Sequence, residues 1–224
     1  MKIGIISDIH SNFLALTSVI NETEKYHLDK IICLGDMVGY YDKPNEVINC
    51  LRVNNVVCIK GNHDKYILGE LEYKDENENI YGINRHREVL TSDNIFFLQQ
   101  SQDYVELNYE KINCCFSHSL KSDSEFYINS DNIDNIEGID NYDFYFYGHT
   151  HRKKAELYGN TLVINPGSVG QQRDLDYRPS FCYLDLDKKC FKIIRVEYNV
   201  KDYIKFLKKN YYNDRLIQSL NKFK

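Results

Sequence analysis

Histidine, aspartate and asparagine side chains occur at five places where a short apolar run of the sequence ends. These places are Asp8–His10, Gly35–Asp36, Gly61–Asp64, His118 and Gly148–His151. A single Asp-x-His pair is usually a helix cap or a satisfied polar group of the core. Five such places at successive strand ends are not accounted for in this way, because buried carboxylates and imidazoles are costly unless a cation pairs with them. The pattern therefore predicts a metal site.

The side-chain types indicate which metals would bind and how many ions. Imidazole together with carboxylate suits manganese, iron, zinc, cobalt or nickel, whereas calcium and magnesium prefer oxygen ligands. Seven candidate ligands are too many for one tetrahedral centre but enough for two centres that share a bridging ligand. They are Asp8, His10, Asp36, Asn62, His118, His149 and His151. Two metals roughly 3.5–4 Å apart can clamp the attacking and the departing oxygen of a phosphoryl displacement. The pattern therefore favours phosphoester chemistry.

The apolar runs that precede these residues predict the elements that position them. Short β-branched runs at Ile3–Ile6, Ile31–Leu34 and Val56–Ile59 alternate with helical patterns. This rhythm predicts parallel strands joined by crossover helices, and ligands of such sheets gather outside the carboxyl ends of the strands. We expect His149 and His151 to project to the same side, because residues i and i+2 of an extended strand do so.

The later part of the chain predicts further strands. Residues 70–79 are acidic and read as an exposed connection, and residues 84–100 read as a helix. Six strand-length runs with turns between them predict a second sheet. These runs are Tyr104–Leu107, Ile112–Phe116, Phe144–Tyr147, Leu162–Ile164, Phe181–Leu186 and Phe191–Val196.

Composition and charge limit the classes of protein to be considered. The chain has 224 residues, 42% of them hydrophobic, with a net charge of −5 and a mean hydropathy of −0.53. We expect one globular domain over residues 1–224, in which residues 201–224 form a helical appendage. No apolar run reaches the roughly 20 residues of a membrane helix, and the acidic balance argues against extended nucleic-acid binding. The amphipathic pattern of the appendage rests on Ile204, Leu207, Tyr211, Leu216 and Leu220.

The cysteines and the first residues indicate a compartment. Seven cysteines, an odd number with no CxxC pair, do not form a disulfide framework. The segment MKIGIISDIH reads as a first strand rather than a signal peptide. Together these features predict a cytoplasmic location. They leave open whether the chain forms a homo-oligomer.

The motifs as a set resemble a known family. In chain order they are SDIHSN, GDMVGYYDKPNEVI, GNHD, SHS, GHTH and NPGSVGQQR. They resemble the calcineurin-like metallophosphoesterases, most closely their small single-domain bacterial and archaeal members, over residues 1–186. The resemblance implies an α/β (α+β) fold in which two mixed sheets form a four-layer αββα sandwich.

The resemblance also implies roles for individual residues. By this resemblance, the first metal ion would be held by Asp8, His10, Asp36 and His151, and the second metal ion by Asp36, Asn62, His118 and His149. A metal-bridging hydroxide would attack phosphorus. His63 would stabilise or protonate the leaving oxygen, and Asp64 would orient the His63 imidazole.

Two departures from the family pattern and two further residues bear on the substrate. Ser11 and Ser119 stand where relatives commonly have glycine, and their side chains could narrow the range of substrates. Asn12 and Arg173 are candidate phosphate contacts, with a helix N-cap and a surface-loop arginine as the respective alternatives. The remaining histidines, His27 and His86, lie on helical patterns and receive no role.

The resulting functional hypothesis is a phosphodiesterase that uses two divalent metal ions and acts on a small, nucleotide-like phosphoester. A phosphomonoesterase or protein phosphatase is the near alternative. The segment GDMVGYYDK lacks the arginine that protein phosphatases of this fold usually carry after the GD motif, and this argues against a protein phosphatase. A catalytically inactive scaffold of the same fold is the third possibility. Such proteins typically lose ligands or the catalytic histidine, whereas this chain has all of them.

Overall fold

The apolar runs of the sequence form the strands of two five-stranded sheets in the computed structural model, which describes residues 1–210 and 212–221. The strands are β1 (Lys2–Ile6), β2 (Lys30–Cys33), β3 (Val57–Cys58), β4 (Tyr104–Tyr109), β5 (Ile112–Ser117), β6 (Phe144–Phe146), β7 (Lys154–Tyr158), β8 (Thr161–Asn165), β9 (Ser180–Asp185) and β10 (Cys190–Arg195). The first sheet has the order β10-β9-β1-β2-β3 and the second has the order β4-β5-β6-β8-β7.

Both sheets are mixed, as expected. Strands β1, β2 and β3 are parallel, which confirms the βαβαβ prediction, while β9 and β10 add antiparallel strands beside β1. In the second sheet β5, β6 and β8 are parallel, and β4 and β7 are antiparallel edges. The carboxyl ends of the parallel strands therefore carry the loops in which the candidate ligands lie.

Helices connect and cover these strands. They are α1 (Phe13–Thr23), α2 (Pro44–Val53), α3 (Asn62–Leu68), α4 (Glu78–Tyr81), α5 (Ile83–Val89), α6 (Ser92–Gln100), α7 (Val200–Lys209) and α8 (Asp214–Leu220). The expected helix over 84–100 is divided, because Leu90 is extended and the Thr91 side chain accepts the Asn94 N–H to begin α6.

Three apolar clusters lie between the layers. One packs the α-helices against the first sheet, and a second fills the space between the sheets with side chains such as Ile5, Phe116 and Phe146. The third covers the outer face of the second sheet with Ile128 and Ile136, in a segment that contains short 3₁₀ turns. This layering confirms the predicted αββα sandwich.

The assignment of the last strands to the second sheet was wrong. The predicted strands Phe181–Leu186 and Phe191–Val196 correspond to β9 and β10, which pair with each other and with β1 of the first sheet. Strand β7 was not predicted, because it is a polar edge strand that contains Lys154 and Glu156. Pairing partners depend on tertiary packing, and the apolar pattern of a strand does not specify them.

The predicted C-terminal helix is two helices. Side chains of both pack into the cluster of the first sheet, including Leu207 of α7 and Leu216 and Leu220 of α8. Tyr211 and residues 222–224, which belong to the predicted appendage, lie outside the described residues. The division into one domain with an appendage stays a prediction. In the part of the chain that the structure describes, no helix has both the length and the apolar character needed to cross a membrane.

Candidate metal centre

The expected ligands come from loops of both sheets. Asp8 and His10 follow β1, Asp36 follows β2, and Asn62 begins α3 after β3. From the second sheet, His118 follows β5, and the segment Gly148–His151 follows β6. The centre therefore lies where the carboxyl ends of the two sheets meet.

Several of these residues have a left-handed backbone. The φ angles are 54° at Asp8, 50° at His10, 51° at Asp36, 61° at His149 and 58° at His151. Because β6 ends at Phe146, the expectation that the two histidines of the GHTH segment lie on an extended strand was wrong. They face different groups of donor atoms instead.

The first group of donor atoms belongs to Asp8, His10, Asp36 and His151. One potential ligand atom from each lies within 4.8 Å of all the others. The Nε2 atoms of His10 and His151 are 3.0 Å apart, and His10 Nε2 is 3.5 Å from Asp36 Oδ2. All four residues are buried.

The second group shares Asp36 with the first. Ligand atoms of Asp36, His118 and His149 lie within 4.8 Å of one another. Asn62 adds its carbonyl oxygen, since Oδ1 is 3.1 Å from His118 Nε2 and 3.1 Å from His149 Nδ1. The seven residues singled out in the sequence are thus brought together as two groups with one carboxylate in common.

Backbone carbonyls orient three of the imidazoles. Nδ1 lies 3.1 Å from Val38 O in His10, 2.9 Å from Leu34 O in His118 and 2.6 Å from a carbonyl in His151. A carbonyl only accepts hydrogen bonds, so Nδ1 carries the proton in each ring. The lone pair of Nε2 then faces the centre and is free to bind a metal.

The electrostatics of the two groups fit a divalent cation. Burial raises the pKa of Asp8 to about 7 and that of Asp36 to about 7. It lowers the pKa of His149 to about 3 and holds the pKa of His10 well below the usual range. Within the described chain, Asp8 Oδ2 has no hydrogen-bond partner. Buried carboxylates beside unprotonated imidazoles need a positive charge, which a metal ion would supply.

His63 lies beside the first group and is held by aromatic packing. Its ring centroid is 4.9 Å from that of His10, 4.9 Å from the stacked ring of Tyr40 and 4.7 Å from Tyr81. Among the described residues, Nδ1 of His63 has no hydrogen-bond partner. Gly39 has φ +88°, and a side chain there would overlap this ring.

The carboxylate of Asp64 makes different contacts from those expected. It accepts the N–H groups of Met37 at 3.0 Å, Val38 at 3.2 Å and Gly61 at 2.9 Å. These bonds join the loop after β2 to the start of α3. Asp64 therefore positions these two backbone segments. The expected contact, in which its carboxylate orients the His63 imidazole, is not the one that it makes.

Arg173 faces the centre, whereas Asn12 is part of a helix cap. Arg173 donates from Nη2 to the Tyr40 hydroxyl at 3.2 Å, and its charge lowers the pKa values of Asp8 and Asp36 against the larger effect of burial. Asn12 accepts the N–H of the third residue of α1 at 3.1 Å and donates to a backbone carbonyl at 3.0 Å. Its role as a phosphate contact stays a prediction.

The two serines that replace the family's glycines are also buried. The Ser119 hydroxyl donates to the backbone carbonyl of Phe126. The Ser11 hydroxyl has no hydrogen-bond partner among the residues that the structure describes. Their influence on substrate range stays a prediction.

Sequence reasoning missed Tyr40 and His86. Tyr40 stacks on His63 and accepts from Arg173. His86, on α5, accepts the Gly39 N–H at Nδ1 and donates from Nε2 to Tyr41 O, at 3.0 and 2.7 Å. Neither residue follows a strand directly, so the pattern that revealed the candidate ligands gave no signal for them.

Comparison with known proteins identifies the family. The sequence model of the calcineurin-like phosphoesterase superfamily domain matches residues 1–189. The chain belongs to the calcineurin-like phosphoesterase superfamily. This confirms the resemblance seen in the motifs. Family membership and the buried His/Asp cluster together make the chain a metal-dependent phosphoester hydrolase.

Individual relatives of this superfamily member include two proteins of Methanocaldococcus jannaschii. The uncharacterized protein MJ0912 is 35% identical over 93% of this chain and 92% of its own length. The phosphodiesterase MJ0936 is 28% identical over 88% of this chain and 100% of its own. Among solved structures, a metallophosphoesterase from Sphaerobacter thermophilus superposes with a TM-score of 0.80 at 24% identity, covering 99% of this chain and 98% of the other. This last likeness concerns the fold.

Proposed function

We propose that the chain is a phosphodiesterase that holds two divalent metal ions and hydrolyses a small, nucleotide-like phosphoester. The observation that carries the proposal is the Asp36 carboxylate, which is common to both groups of donor atoms. A carboxylate common to both groups could bridge two ions held side by side. Ions held there would supply positive charge for the phosphate oxygens and a hydroxide nucleophile.

The proposal divides the ligands into two sets. The first set is Asp8, His10, Asp36 and His151, and the second is Asp36, Asn62, His118 and His149. Asp8 and Asp36 are the only anionic ligands, so two divalent ions would leave a net charge of about +2 at the centre. This local charge would attract a phosphate group although the chain as a whole has a net charge of −5.

His63 and Arg173 are proposed to act on the substrate directly. His63 would stabilise or protonate the leaving oxygen, a role supported by its position beside the first set of ligands, with its ring centroid 4.9 Å from that of His10. Arg173 would bind a phosphate oxygen, since its guanidinium faces the centre. Asp64 and Asn12 would hold the loops that carry these groups, as their backbone hydrogen bonds suggest.

Preference for a diester over a monoester is supported by one relative, the phosphodiesterase MJ0936, which is similar over its full length. Manganese is the metal we would test first. A cytoplasmic location is supported by the cysteines, since all seven lie within the described residues and are free thiols.

Hydrolysis of bis-p-nitrophenyl phosphate, compared with p-nitrophenyl phosphate, tests the proposal. We expect the diester to be hydrolysed faster with manganese or nickel, and Asp36→Asn to abolish the reaction. His63→Ala should retain both metal ions, measured by elemental analysis, and lose roughly 10²–10⁴-fold in kcat. The exposed His27→Asn is the matched control. Equal activity of wild type and Asp36→Asn, or one bound ion per chain, would contradict the proposal.

A further inference from the structure

A cavity of about 520 Å³ lies next to the packing shell of His63. Two residues of its wall, Tyr66 and Tyr81, also contact the His63 ring, with centroid distances of 5.7 and 4.7 Å. Its outer wall is the segment 71–77, which the sequence marked only as an exposed acidic connection. Its volume falls within the roughly 300–1,000 Å³ typical of small-molecule sites.

Three tyrosine rings line this cavity, which we call the tyrosine pocket. They belong to Tyr66, Tyr73 and Tyr81. The rings of Tyr66 and Tyr73 are 5.4 Å apart and inclined by 48°, and the Tyr73 hydroxyl donates to Glu78 at 2.9 Å, which holds this ring in place. Fixed aromatic rings of this kind stack on a nucleobase, and each stacked base contributes about 1–3 kcal/mol.

The wall of the tyrosine pocket continues into the second group of donor atoms. The Tyr66 hydroxyl donates to the Glu125 carboxylate, and Tyr66 lies one turn after Asn62, a proposed metal ligand, on α3. Two residues after Glu125, the ring of Tyr127 lies 5.5 Å from the ring of His149. If the phosphate of a substrate occupies the metal centre, the group attached to it on the side of His63 would therefore lie next to the tyrosine pocket.

The charges of the tyrosine pocket select the kind of group that fits. Two carboxylates, Glu72 and Glu125, line it together with one ammonium group, that of Lys74, and one amide, that of Asn77. The excess of negative charge disfavours a second phosphate. Carboxylate and amide groups suit the hydroxyl and amino groups of an uncharged nucleoside.

We propose that the tyrosine pocket binds the nucleoside that leaves when the phosphodiester is cleaved. This proposal rests on the proposed phosphodiesterase function. It adds that the leaving group is a nucleoside and that this group lies on the His63 side of the metal centre. An oxygen from water becomes bonded to phosphorus, and the bond between phosphorus and the nucleoside oxygen breaks. That oxygen keeps the electron pair and takes a proton, so the products are a nucleoside and a phosphomonoester.

Binding of adenosine to the metal-free protein tests the pocket without any reaction. By isothermal titration calorimetry we expect wild type to bind adenosine and Tyr73→Leu to bind it at least about tenfold more weakly. Tyr73→Phe keeps the ring but loses the bond to Glu78, and should bind adenosine more weakly than wild type but more tightly than Tyr73→Leu. Tyr109→Leu is the matched control, because Tyr109 pairs with Ile112 at the opposite end of β5 from His118. Absence of adenosine binding, or equal weakening by both Tyr73 variants, would overturn the proposal.

The products from adenosine 5′-methyl phosphate test the side on which the nucleoside lies. Hydrolysis by the manganese-loaded protein should release adenosine and methyl phosphate, whereas release of AMP and methanol would refute the assignment. Tyr73→Leu should lower the fraction of adenosine among the products, and Tyr109→Leu should leave it unchanged. If no phosphoester is hydrolysed, the phosphodiesterase function fails, and the adenosine titration still decides whether the tyrosine pocket binds a nucleoside.

Discussion

Both ring nitrogens of His86 are hydrogen-bonded to the loop that follows Asp36. Nδ1 accepts from the Gly39 N–H, so this nitrogen is unprotonated, and Nε2 donates to Tyr41 O. A proton on Nδ1 would point at the Gly39 N–H and break this arrangement. Burial lowers the pKa of His86 to about 4, from an ordinary value of 6.5.

We predict that this histidine makes stability depend on pH. Above pH 6.5 it is neutral in both the folded and unfolded chain and contributes no pH dependence. Between about pH 6.5 and 4 only the unfolded chain binds the proton, so wild-type stability falls, by on the order of 3 kcal/mol. His86→Gln should be less stable than wild type near neutral pH, and this difference should shrink as the pH falls.

Urea denaturation of the metal-free proteins at several pH values measures this effect. The exposed His27→Asn is the control and should keep the pH dependence of wild type. A stability difference between His86→Gln and wild type that stays constant from about pH 7 to pH 4 would show that His86 does not titrate as described.

At this scale the sequence revealed the residues of the two donor groups but not the contacts that hold His63. Asp36 and His118 could be predicted because each directly follows a buried strand, where the loops of such a sheet bind ligands. The packing of Tyr40 on His63 and the backbone bonds of Asp64 could not. These contacts depend on how the loop after β2 meets α3, more than twenty residues later in the chain.

At the scale of elements, the C-terminal helices support the loop after β2 that carries Asp36. Tyr41 of this loop is buried, and its hydroxyl is 3.2 Å from Ser219 Oγ on α8. The neighbouring Asp42 accepts from the Tyr203 hydroxyl of α7 at 2.8 Å. Helices far along the chain from the motifs therefore brace the loop that carries Asp36 and Tyr40.

We predict that the packing of α7 is important for stability. Leu207 is fully buried against the first-sheet cluster, so Leu207→Ala should lower the free energy of unfolding by about 2–5 kcal/mol. Phe206, the adjacent residue, is 39% exposed and its ring contacts that of Tyr203, so Phe206→Ala should cost less than Leu207→Ala, about 1–2 kcal/mol. Urea denaturation compares them. Equal losses would mean that α7 does not pack as described.

The element order was predicted well where strands are parallel and buried, as in β1, β2 and β3. It was predicted poorly where the partner of a strand is decided by packing. Strand β9 is apolar on both faces, which fits either sheet equally. Strand β7 alternates between partly buried and exposed residues, so its apolar signal is weak.

At the scale of the whole molecule, the candidate metal centre connects the two sheets. Asp8 and Asp36 come from the first sheet, and His118 and His149 come from the second. Ions bound between them would link the carboxyl ends of both sheets. They would also compensate the buried carboxylates, whose pKa values burial raises to about 7 in the absence of a cation.

We therefore expect metal to stabilise the entire fold. At a manganese concentration about 100 times Kd, binding contributes about 2.7 kcal/mol, which for a chain of this size corresponds to a rise in Tm of roughly 5–10 °C. Differential scanning calorimetry of the metal-free protein with and without manganese measures it. Asp36→Asn, which removes the carboxylate common to both donor groups, should show a much smaller rise. An equal rise in both proteins would place the stabilising ion elsewhere.

The left-handed backbone at five donor-bearing positions has an evolutionary consequence. The left-handed backbone costs about 1–2 kcal/mol at each of the three histidines and less at the two aspartates, which tolerate this region better. Glycine would relieve this backbone strain at Asp8, His10, Asp36, His149 and His151, and each replacement would remove a candidate metal ligand. A descendant released from catalysis is therefore expected to drift toward glycine at these positions first, and such glycines would record the loss of activity in its sequence.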